Sequence, residues 1–184
     1  MEILPTPLAG AFVLKPKRFE DPRGFFCETY SKRRLEEAGL MIDFVQDNLS
    51  YSKDRSTLRG LHYQTPPHAQ AKLVSVVRGA VRDVIVDLRR GSETFGQHFA
   101  VLLSADEGDQ LFVPVGFAHG FITRAPDTVF AYKVSAYYAP DNDTGIRFDD
   151  PTLGIDWGAD VDDIGTSEKD QHLPFFDPGR EYFA

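Results

Sequence analysis

The sequence predicts an all-β protein, an antiparallel jelly-roll barrel with a few short peripheral helices. The first observation behind this prediction is composition: 15 Phe and 7 Tyr stand against 2 Met and 1 Trp, and aromatic side chains favour the half-buried surface of a sheet. The second is spacing, because short apolar stretches recur about every 8 to 12 residues with turn residues between them. The chain has 184 residues, of which 42% are hydrophobic. We therefore expect one sizeable core and a single domain over residues 1–184.

The strands of this barrel are predicted from apolar or alternating stretches bounded by Gly, Pro, Asp or Ser. Residues 58–74 predict two strands joined by a short rigid loop, because Pro66 and Pro67 donate no hydrogen bond to a sheet. Lys72 is then expected to neighbour His62 across a hairpin. In chain order, the predicted strands are 11–14, 25–30, 44–52, the two within 58–74, 80–88, 97–104, 110–113, 117–123 and 128–138.

Two segments are predicted to be helical. Ser31 is placed to cap a helix of about two turns that carries Leu35 on its apolar face and ends at Gly39. After Gly145 the chain becomes rich in Gly, Pro and acidic residues. We expect this tail to wrap the barrel and to contain one short helix near residues 164–169.

Polar side chains follow the predicted core strands. Arg59 and His62 are three residues apart and would face opposite ways on an ideal strand. A bulge at Gly60 would bring them together. With Lys72 beside them, three nitrogen groups converge, which is costly to bury without an anion. A second polar row is either a solvent-facing surface or the wall of a wet pocket; it comprises Phe44, Gln46, Asn48, Ser50 and Ser52.

The net charge limits the partners of the protein. At a formal charge of −8, general nucleic-acid binding is not expected, since it needs a basic face. A local arginine cluster can still hold a small anion, and Arg23 and Arg59 are candidates for phosphate contacts. We interpret four other arginines as surface charge: Arg33, Arg34, Arg89 and Arg90.

The lone Cys27 cannot form an internal disulfide, and its aromatic neighbours predict a buried, inert thiol. The N-terminus lacks the pattern of a signal peptide, and no apolar stretch approaches the ~20 residues that span a bilayer. We therefore expect a soluble cytoplasmic protein without a membrane partner.

A P-x-G-x-x-H pattern ending at His119 is typical of cupin barrels, where that histidine often binds metal. Metal cupins also supply H-x-H, but the corresponding place from His62 to Gln64 reads H-Y-Q. Two histidines and Lys72 do not make a first-row metal site, because a protonated lysine would repel the ion. We expect no metal and, since no Gly-rich dinucleotide motif is present, no cofactor.

Together these motifs resemble the dTDP-4-dehydrorhamnose 3,5-epimerase family of cofactor-independent, cupin-type enzymes. The resemblance runs from about Phe12 to Phe175, nearly the whole chain. Its motifs are D-x-R-G-F-F-x-E from Asp21, Q-D-N from Gln46, L-R-G-L-H-Y-Q from Leu58, P-H-A-Q-A-K from Pro67, V-D-L-R-R-G-S from Val86, P-x-G-F-A-H-G-F from Pro114, Y-K from Tyr132, Y-Y from Tyr137 and S-E-K-D from Ser167.

The resemblance implies roles for individual residues. His62 would be the base, oriented by Asp170, with Tyr132 as the acid and Lys72 stabilising an enolate. Tyr138 would stack on thymine. The residues implied to contact the dTDP-sugar substrate are Arg23, Phe26, Glu28, Gln46, Asp47, Asn48, Arg59, His119, Tyr138, Asp143 and Lys169. The chain departs from the family pattern at Asp143, where many members have Glu, at Phe148, where Trp is common, and at residues 124–126.

The implied reaction is epimerisation at C3 and C5 of dTDP-4-dehydro-6-deoxy-D-glucose to dTDP-4-dehydro-L-rhamnose. The chemistry suits these residue types, because a C4 ketone acidifies both C–H bonds and an ordinary histidine, of pKa ~6.5, accepts a proton near neutral pH. Three alternatives stay open: epimerisation at one carbon or a shift of the ketone, a sugar-nucleotide-binding cupin without turnover, and a metal-dependent oxygenase.

Because a jelly roll leaves edge strands, we also expect a homodimer. In that dimer, the resemblance places Arg23, Phe26 and Glu28 in the pocket of the neighbouring subunit.

Overall fold

The computed structural model describes residues 1–183, in which β-strands dominate. The strands are β1 (Glu2–Pro5), β2 (Phe12–Lys15), β3 (Arg18–Asp21), β4 (Gly24–Cys27), β5 (Gln46–Ser52), β6 (Leu58–Gln64), β7 (Lys72–Arg78), β8 (Ala80–Asp87), β9 (His98–Ser104), β10 (Gln110–Val113), β11 (Phe117–Thr123), β12 (Thr128–Val134) and β13 (Asp143–Gly145).

Two antiparallel sheets form the barrel. The six-stranded sheet has the order β1-β2-β10-β7-β12-β5, and the five-stranded sheet has the order β13-β6-β11-β8-β9. Strands β3 and β4 pair with each other as a separate hairpin. This arrangement confirms the prediction of an all-β, antiparallel jelly roll.

The core between the sheets follows from side-chain alternation along the strands. Val74 and Val76 on β7 and Phe130 on β12 point inward from the six-stranded sheet, where they meet Ile85 and Phe121 from the five-stranded sheet. The apolar interior ends where polar side chains take over the same inward positions. That end of the barrel holds the site described below.

The α-helices, α1 (Lys32–Glu37) and α2 (Glu168–Gln171), are short. Ser31 is the N-cap residue of α1 by position, but its side chain makes no capping hydrogen bond; Leu35 of this helix is buried, as predicted. Helix α2 begins after the predicted start because Ser167 caps it, with Oγ accepting from Asp170 N at 3.1 Å. Within residues 1–183, no helix is both long enough and apolar enough to cross a membrane.

The segment after Gly145 packs on the outer face of the five-stranded sheet, as predicted. Trp157, Phe176 and Phe183 are buried there in one cluster with Val84 and Val86 of β8.

The outer face of the six-stranded sheet is largely uncovered, because α1 packs on only one end of it. Its exposed apolar side chains include Leu49 at 67%, Tyr51 at 51% and Val77 at 60% exposure.

The predicted hairpin within residues 58–74 is wrong. Strand β6 lies in the five-stranded sheet and β7 in the six-stranded sheet. The loop containing Pro66 and Pro67 therefore carries the chain from one sheet to the other. Lys72 meets His62 across the barrel, with Nζ donating to the His62 carbonyl at 3.4 Å.

The predicted strand 128–138 is too long, since β12 ends at Val134. Beyond that point, side chains form hydrogen bonds with the backbone carbonyls: Gln70 Nε2 donates to Ala136 O at 2.7 Å and Gln64 Nε2 donates to Tyr137 O at 3.2 Å. These bonds replace a sheet partner and let the chain turn towards the barrel opening. A single straight strand over residues 128–138 would hold Tyr132 and Tyr138 far apart, whereas here both line the same cavity.

Candidate active site

A cavity of about 510 Å³ opens between the two sheets, and a second space of about 370 Å³ adjoins it. We call them the central and the adjoining cavity. His62, Lys72 and Tyr132 line both. The central cavity is further lined by Ser50, Thr57, Leu58, Arg59, His119, Phe121, Phe130, Gly165, Thr166, Ser167, Lys169 and Asp170.

A bulge in β6 aims two of these side chains. His119 pairs with His62 and Phe121 pairs with Arg59, so β6 has one more residue between its pairs than β11 has. Gly60 permits this geometry: its φ is +119°, and a Cβ there would lie 2.6 Å from Gly120 Cα. The predicted bulge is confirmed, and Arg59 and His62 reach the same cavity.

His62 is held by a carboxylate from the tail. Nε2 lies 2.6 Å from Asp170 Oδ1, and Asp170 is 2% exposed. Burial raises the pKa of Asp170, but the hydrogen bond and charge of His62 outweigh that effect, so the pKa lies below its usual value. With Nε2 directed to an ionised carboxylate, Nδ1 is the ring nitrogen left to accept a proton.

Lys72 enters the cavity from the opposite sheet and is 9% exposed. Burial lowers the pKa of its amine to about 8, although the charges of Asp143 and Asp83 oppose that effect. Among the described residues its one hydrogen bond is the one to the His62 carbonyl. Two of its three N–H donors are therefore left for a substrate oxygen.

Tyr132 also belongs to the six-stranded sheet, where it pairs with Asn48 on one side and Val74 on the other. Burial raises the pKa of its hydroxyl, and the charge of Asp143 raises it further. Its phenol therefore keeps its proton at neutral pH. Because His62 comes from the five-stranded sheet, a ligand between the sheets has the imidazole on one side and the phenol on the other.

Asp143 joins two other predicted site residues at the opening. Its Oδ2 accepts from Lys169 Nζ at 2.5 Å and from Tyr138 OH at 3.3 Å. Tyr138 is 58% exposed, so its ring is available for stacking. Gln46 and Asn48 line the same adjoining cavity and are bonded to each other at 2.7 Å. The polar row of β5 is thus the wall of a pocket.

His119 is buried at 7% exposure and, like His62, has a carboxylate partner, Asp83, which was not predicted from the sequence. Its Nε2 lies 3.0 Å from both oxygens of Asp83. The signal in the sequence was an aspartate inside the apolar strand β8, where an unpaired charge is costly. Ser50 was predicted only as part of the polar row; its Oγ is buried without a hydrogen-bond partner among residues 1–183.

Four residues implied by the resemblance lie away from these cavities. Arg23 pairs with Asp21 at 2.6 Å in the β3–β4 hairpin, and Glu28 pairs with Arg34 at 2.8 Å. Phe26 is 69% exposed in the same hairpin. Asp47 points to the other face of the six-stranded sheet, because β5 alternates, and contacts Lys133 there at 2.8 Å.

The charge of the cavity suits an anionic ligand. Arg59 and Lys169 line it together with neutral hydrogen-bonding groups. Arg59 is held in place by hydrogen bonds to Tyr51 O at 3.0 Å and Ser52 Oγ at 3.3 Å. Residues 1–183 contain no group of three or more His, Cys, Asp or Glu side chains arranged to hold a metal ion.

Comparison with known proteins places this site in context. The family model for dTDP-4-dehydrorhamnose 3,5-epimerase matches residues 5–178. An enzyme of that name from Methanothermobacter thermautotrophicus is 45% identical over 168 residues, which are 91% of this chain and 90% of the relative.

Solved structures of enzymes with similar names are also similar to this chain in fold and sequence. The dTDP-4-dehydrorhamnose 3,5-epimerase from Bacillus anthracis, crystallised with TDP and pyrophosphate, has a TM-score of 0.92 and 47% identity, covering 95% of this chain and 99% of its own. A dTDP-6-deoxy-D-glucose-3,5-epimerase from Legionella pneumophila, in complex with dTDP-4-keto-L-rhamnose, has a TM-score of 0.90 and 43% identity, covering 95% and 92%.

Proposed function

The chain belongs to the dTDP-4-dehydrorhamnose 3,5-epimerase family, and on that premise we propose that it inverts C3 and C5 of dTDP-4-dehydro-6-deoxy-D-glucose to give dTDP-4-dehydro-L-rhamnose. The observation that supports this most directly is that His62 and Tyr132 line one cavity from facing sheets. Inversion needs a proton removed from one face of a carbon and returned to the other. A base and an acid on opposite walls meet that need.

In the proposed reaction, Nδ1 of His62 takes the proton from C3 or C5. The electron pair of that C–H bond moves into an enolate, whose oxygen on C4 is stabilised by the Lys72 ammonium. Tyr132 then delivers the proton of its hydroxyl to the opposite face of the same carbon. The bonding electrons return to carbon, the ketone re-forms, and both side chains exchange protons with solvent before the second carbon reacts. Proton transfers alone complete this scheme, so it needs no cofactor.

The remaining residues bind the dTDP-sugar. Arg59 and Lys169 carry the positive charge suited to the diphosphate, and Tyr138 stacks on thymine. Gln46, Asn48 and His119 offer hydrogen bonds to the substrate from the cavity walls. Asp143 is also part of the substrate-binding site, where it accepts hydrogen bonds from Tyr138 and Lys169.

Arg23, Phe26 and Glu28 act in the partner subunit of a homodimer. Their hairpin exposes Phe19 at 50% and Phe25 at 58%, which is unusual for large aromatic side chains on a monomer. The outer face of the six-stranded sheet is apolar and exposed as well, and a second copy would cover both. Analytical ultracentrifugation at micromolar concentration tests this point, and a monomeric mass would contradict it.

The family match over residues 5–178 supports one catalytic domain. We also propose a cytoplasmic location, since the chain has a single cysteine and needs no oxidising compartment.

The decisive experiment is incubation with dTDP-4-dehydro-6-deoxy-D-glucose in deuterated water, followed by NMR at C3 and C5. Deuterium entry with inversion at both carbons supports the proposal. Inversion at one carbon identifies a single-site epimerase instead. If dTDP binds but no deuterium enters, the protein is a binding protein without turnover. Metal analysis of the purified protein tests the oxygenase alternative.

A further inference from the structure

Asp83 is a buried carboxyl group that has no role in the proposed reaction as described above. Its side chain is 0% exposed on β8, where the alternate positions on the same face are the buried Val81 and Ile85. Burying a carboxylate is costly unless charged or hydrogen-bonding partners compensate. Burial raises the pKa of Asp83, and the charges of His119 and Lys72 oppose that rise. The pKa stays above its usual value even so, and the charged form of this carboxylate therefore depends on these two cavity residues.

The contact with His119 fixes the imidazole ring. Both carboxylate oxygens lie 3.0 Å from Nε2, and the ring also stacks on Phe130 at a centroid distance of 6.0 Å and an angle of 20°. Nε2 is thus occupied, and Nδ1 is the nitrogen left for a ligand. His119 and His62 are Cα partners on adjacent strands, so two histidine–aspartate pairs stand side by side in the wall of one cavity.

The second link is to Lys72, which lines the same cavity as His119 from the facing sheet. The negative charges of Asp143 and Asp83 favour its protonated form, against the effect of burial. Removal of Asp83 would therefore favour the neutral amine, which cannot stabilise an enolate oxygen by charge. The other charged or titratable groups that face this region are Arg59, His62, His119, Tyr132, Lys169 and Asp170.

We propose that Asp83 is a positioning residue for the epimerisation: its carboxylate directs His119 Nδ1 to the substrate and keeps Lys72 in its ammonium form. The inference rests on the proposed function, because it assigns Lys72 to the enolate oxygen. It adds a residue that touches no substrate but sets the state of two residues that do.

The first test is the pH dependence of kcat/KM for Asp83→Asn. The substitution keeps the shape of the side chain and removes the charge. The alkaline limb should move to lower pH by about 1 unit, the lower range for loss of one close opposite charge, with kcat/KM about tenfold lower above that limb. Asp87→Asn is the matched control, since Asp87 is also buried on β8 but bonds to Arg89, Ser92 and Thr94 outside the cavity. The alkaline limb of the Asp87→Asn profile should stay at the pH of the wild type. An unmoved limb in folded Asp83→Asn overturns the proposal.

The second test uses the wild-type protein and so does not depend on the folding of a variant. In ¹⁵N NMR, Nε2 of His119 should carry a proton at neutral pH, whether or not Nδ1 also carries one. A proton on Nδ1 of a neutral ring overturns the proposal, whatever the variant does; if Asp83→Asn does not fold, this result decides. Absence of turnover by the wild type would overturn the proposed function instead, while leaving the NMR result on Asp83 and His119 intact.

Discussion

His62 and Asp170 share a hydrogen bond of 2.6 Å between Nε2 and Oδ1, although 108 positions separate them in the chain. Asp170 Oδ2 also accepts from the backbone N–H of Gly60 at 3.3 Å. The same carboxylate therefore fixes the imidazole and the bulge that aims it. Since the pKa of Asp170 lies below its usual value, the carboxylate stays ionised through the neutral range.

Asp170→Asn should lower kcat by about 10²- to 10⁴-fold with little change in KM, because the ring loses its fixed tautomer but the substrate contacts remain. The measurement is the rate of solvent deuterium entry at C3 and C5. Asp162→Asn, an exposed change in the same tail, is the control and should retain the wild-type rate. A wild-type rate for Asp170→Asn would mean that His62 is oriented by other contacts.

Side-chain alternation made much of the site predictable. The polar row of β5 and the inward positions of β12 follow from the two-residue period of a strand, and Gly60 between Arg59 and His62 indicated the bulge. The pairing of His62 with Asp170 did not follow from spacing, because it depends on where the tail returns to the barrel. Only the resemblance to the family supplied it.

Two other features show what local patterns leave open. The stretch from Leu58 to Val74 predicted two strands correctly, but nothing local specifies that β7 joins the opposite sheet. Asp47 alternates onto the outer face, beside Lys133, although a family motif grouped it with Gln46 and Asn48. A motif records neighbours along the chain, whereas a pocket selects alternate residues of a strand.

Tyr132→Phe should separate proton removal from inversion. His62 remains a competent base in this variant, so deuterium should still enter with retained configuration, while inversion falls by about 10²- to 10⁴-fold through loss of the acid. The measurement is the ratio of exchange to inversion by NMR. His62→Ala should abolish exchange at both carbons, and epimerisation by His62→Ala at a near-normal rate would assign the base to another group.

Arg59→Ala should weaken dTDP binding by about 1.5 to 3 kcal/mol, the usual scale for a hydrogen bond to a charged group. Isothermal titration calorimetry with dTDP measures this directly. Arg55→Ala removes an exposed arginine a few positions earlier and should leave the dissociation constant unchanged. Equal effects of the two substitutions would show that binding responds to overall charge and not to a contact at Arg59.

The pH dependence of turnover should report on Lys72. Its ammonium is the form that stabilises the enolate, and burial lowers its pKa to about 8 in the free protein, so kcat/KM should fall as pH rises through about 8. Tyr132 does not set this limb, because burial raises the pKa of its hydroxyl above the usual value. A pH–rate profile of Lys72→Arg is the comparison, since a guanidinium stays protonated. Any activity left in it should lack the alkaline limb, and a flat wild-type profile to pH ~10 would remove Lys72 from this role.

Gly60→Ala should disrupt the bulge and with it the alignment of Arg59 and His62. A Cβ at this position would lie 2.6 Å from Gly120 Cα and 2.7 Å from His119 O, at a φ of +119°. Those contacts are backbone atoms that cannot rotate away, so the strand has to shift at a cost of about 1–3 kcal/mol or more. The midpoint temperature of thermal unfolding and kcat should both fall. Gly91→Ala is the matched control, because a Cβ there meets nothing within 4 Å, and it should change neither. A Gly60→Ala variant with wild-type stability and activity would show that the bulge does not require glycine and does not control the position of His62.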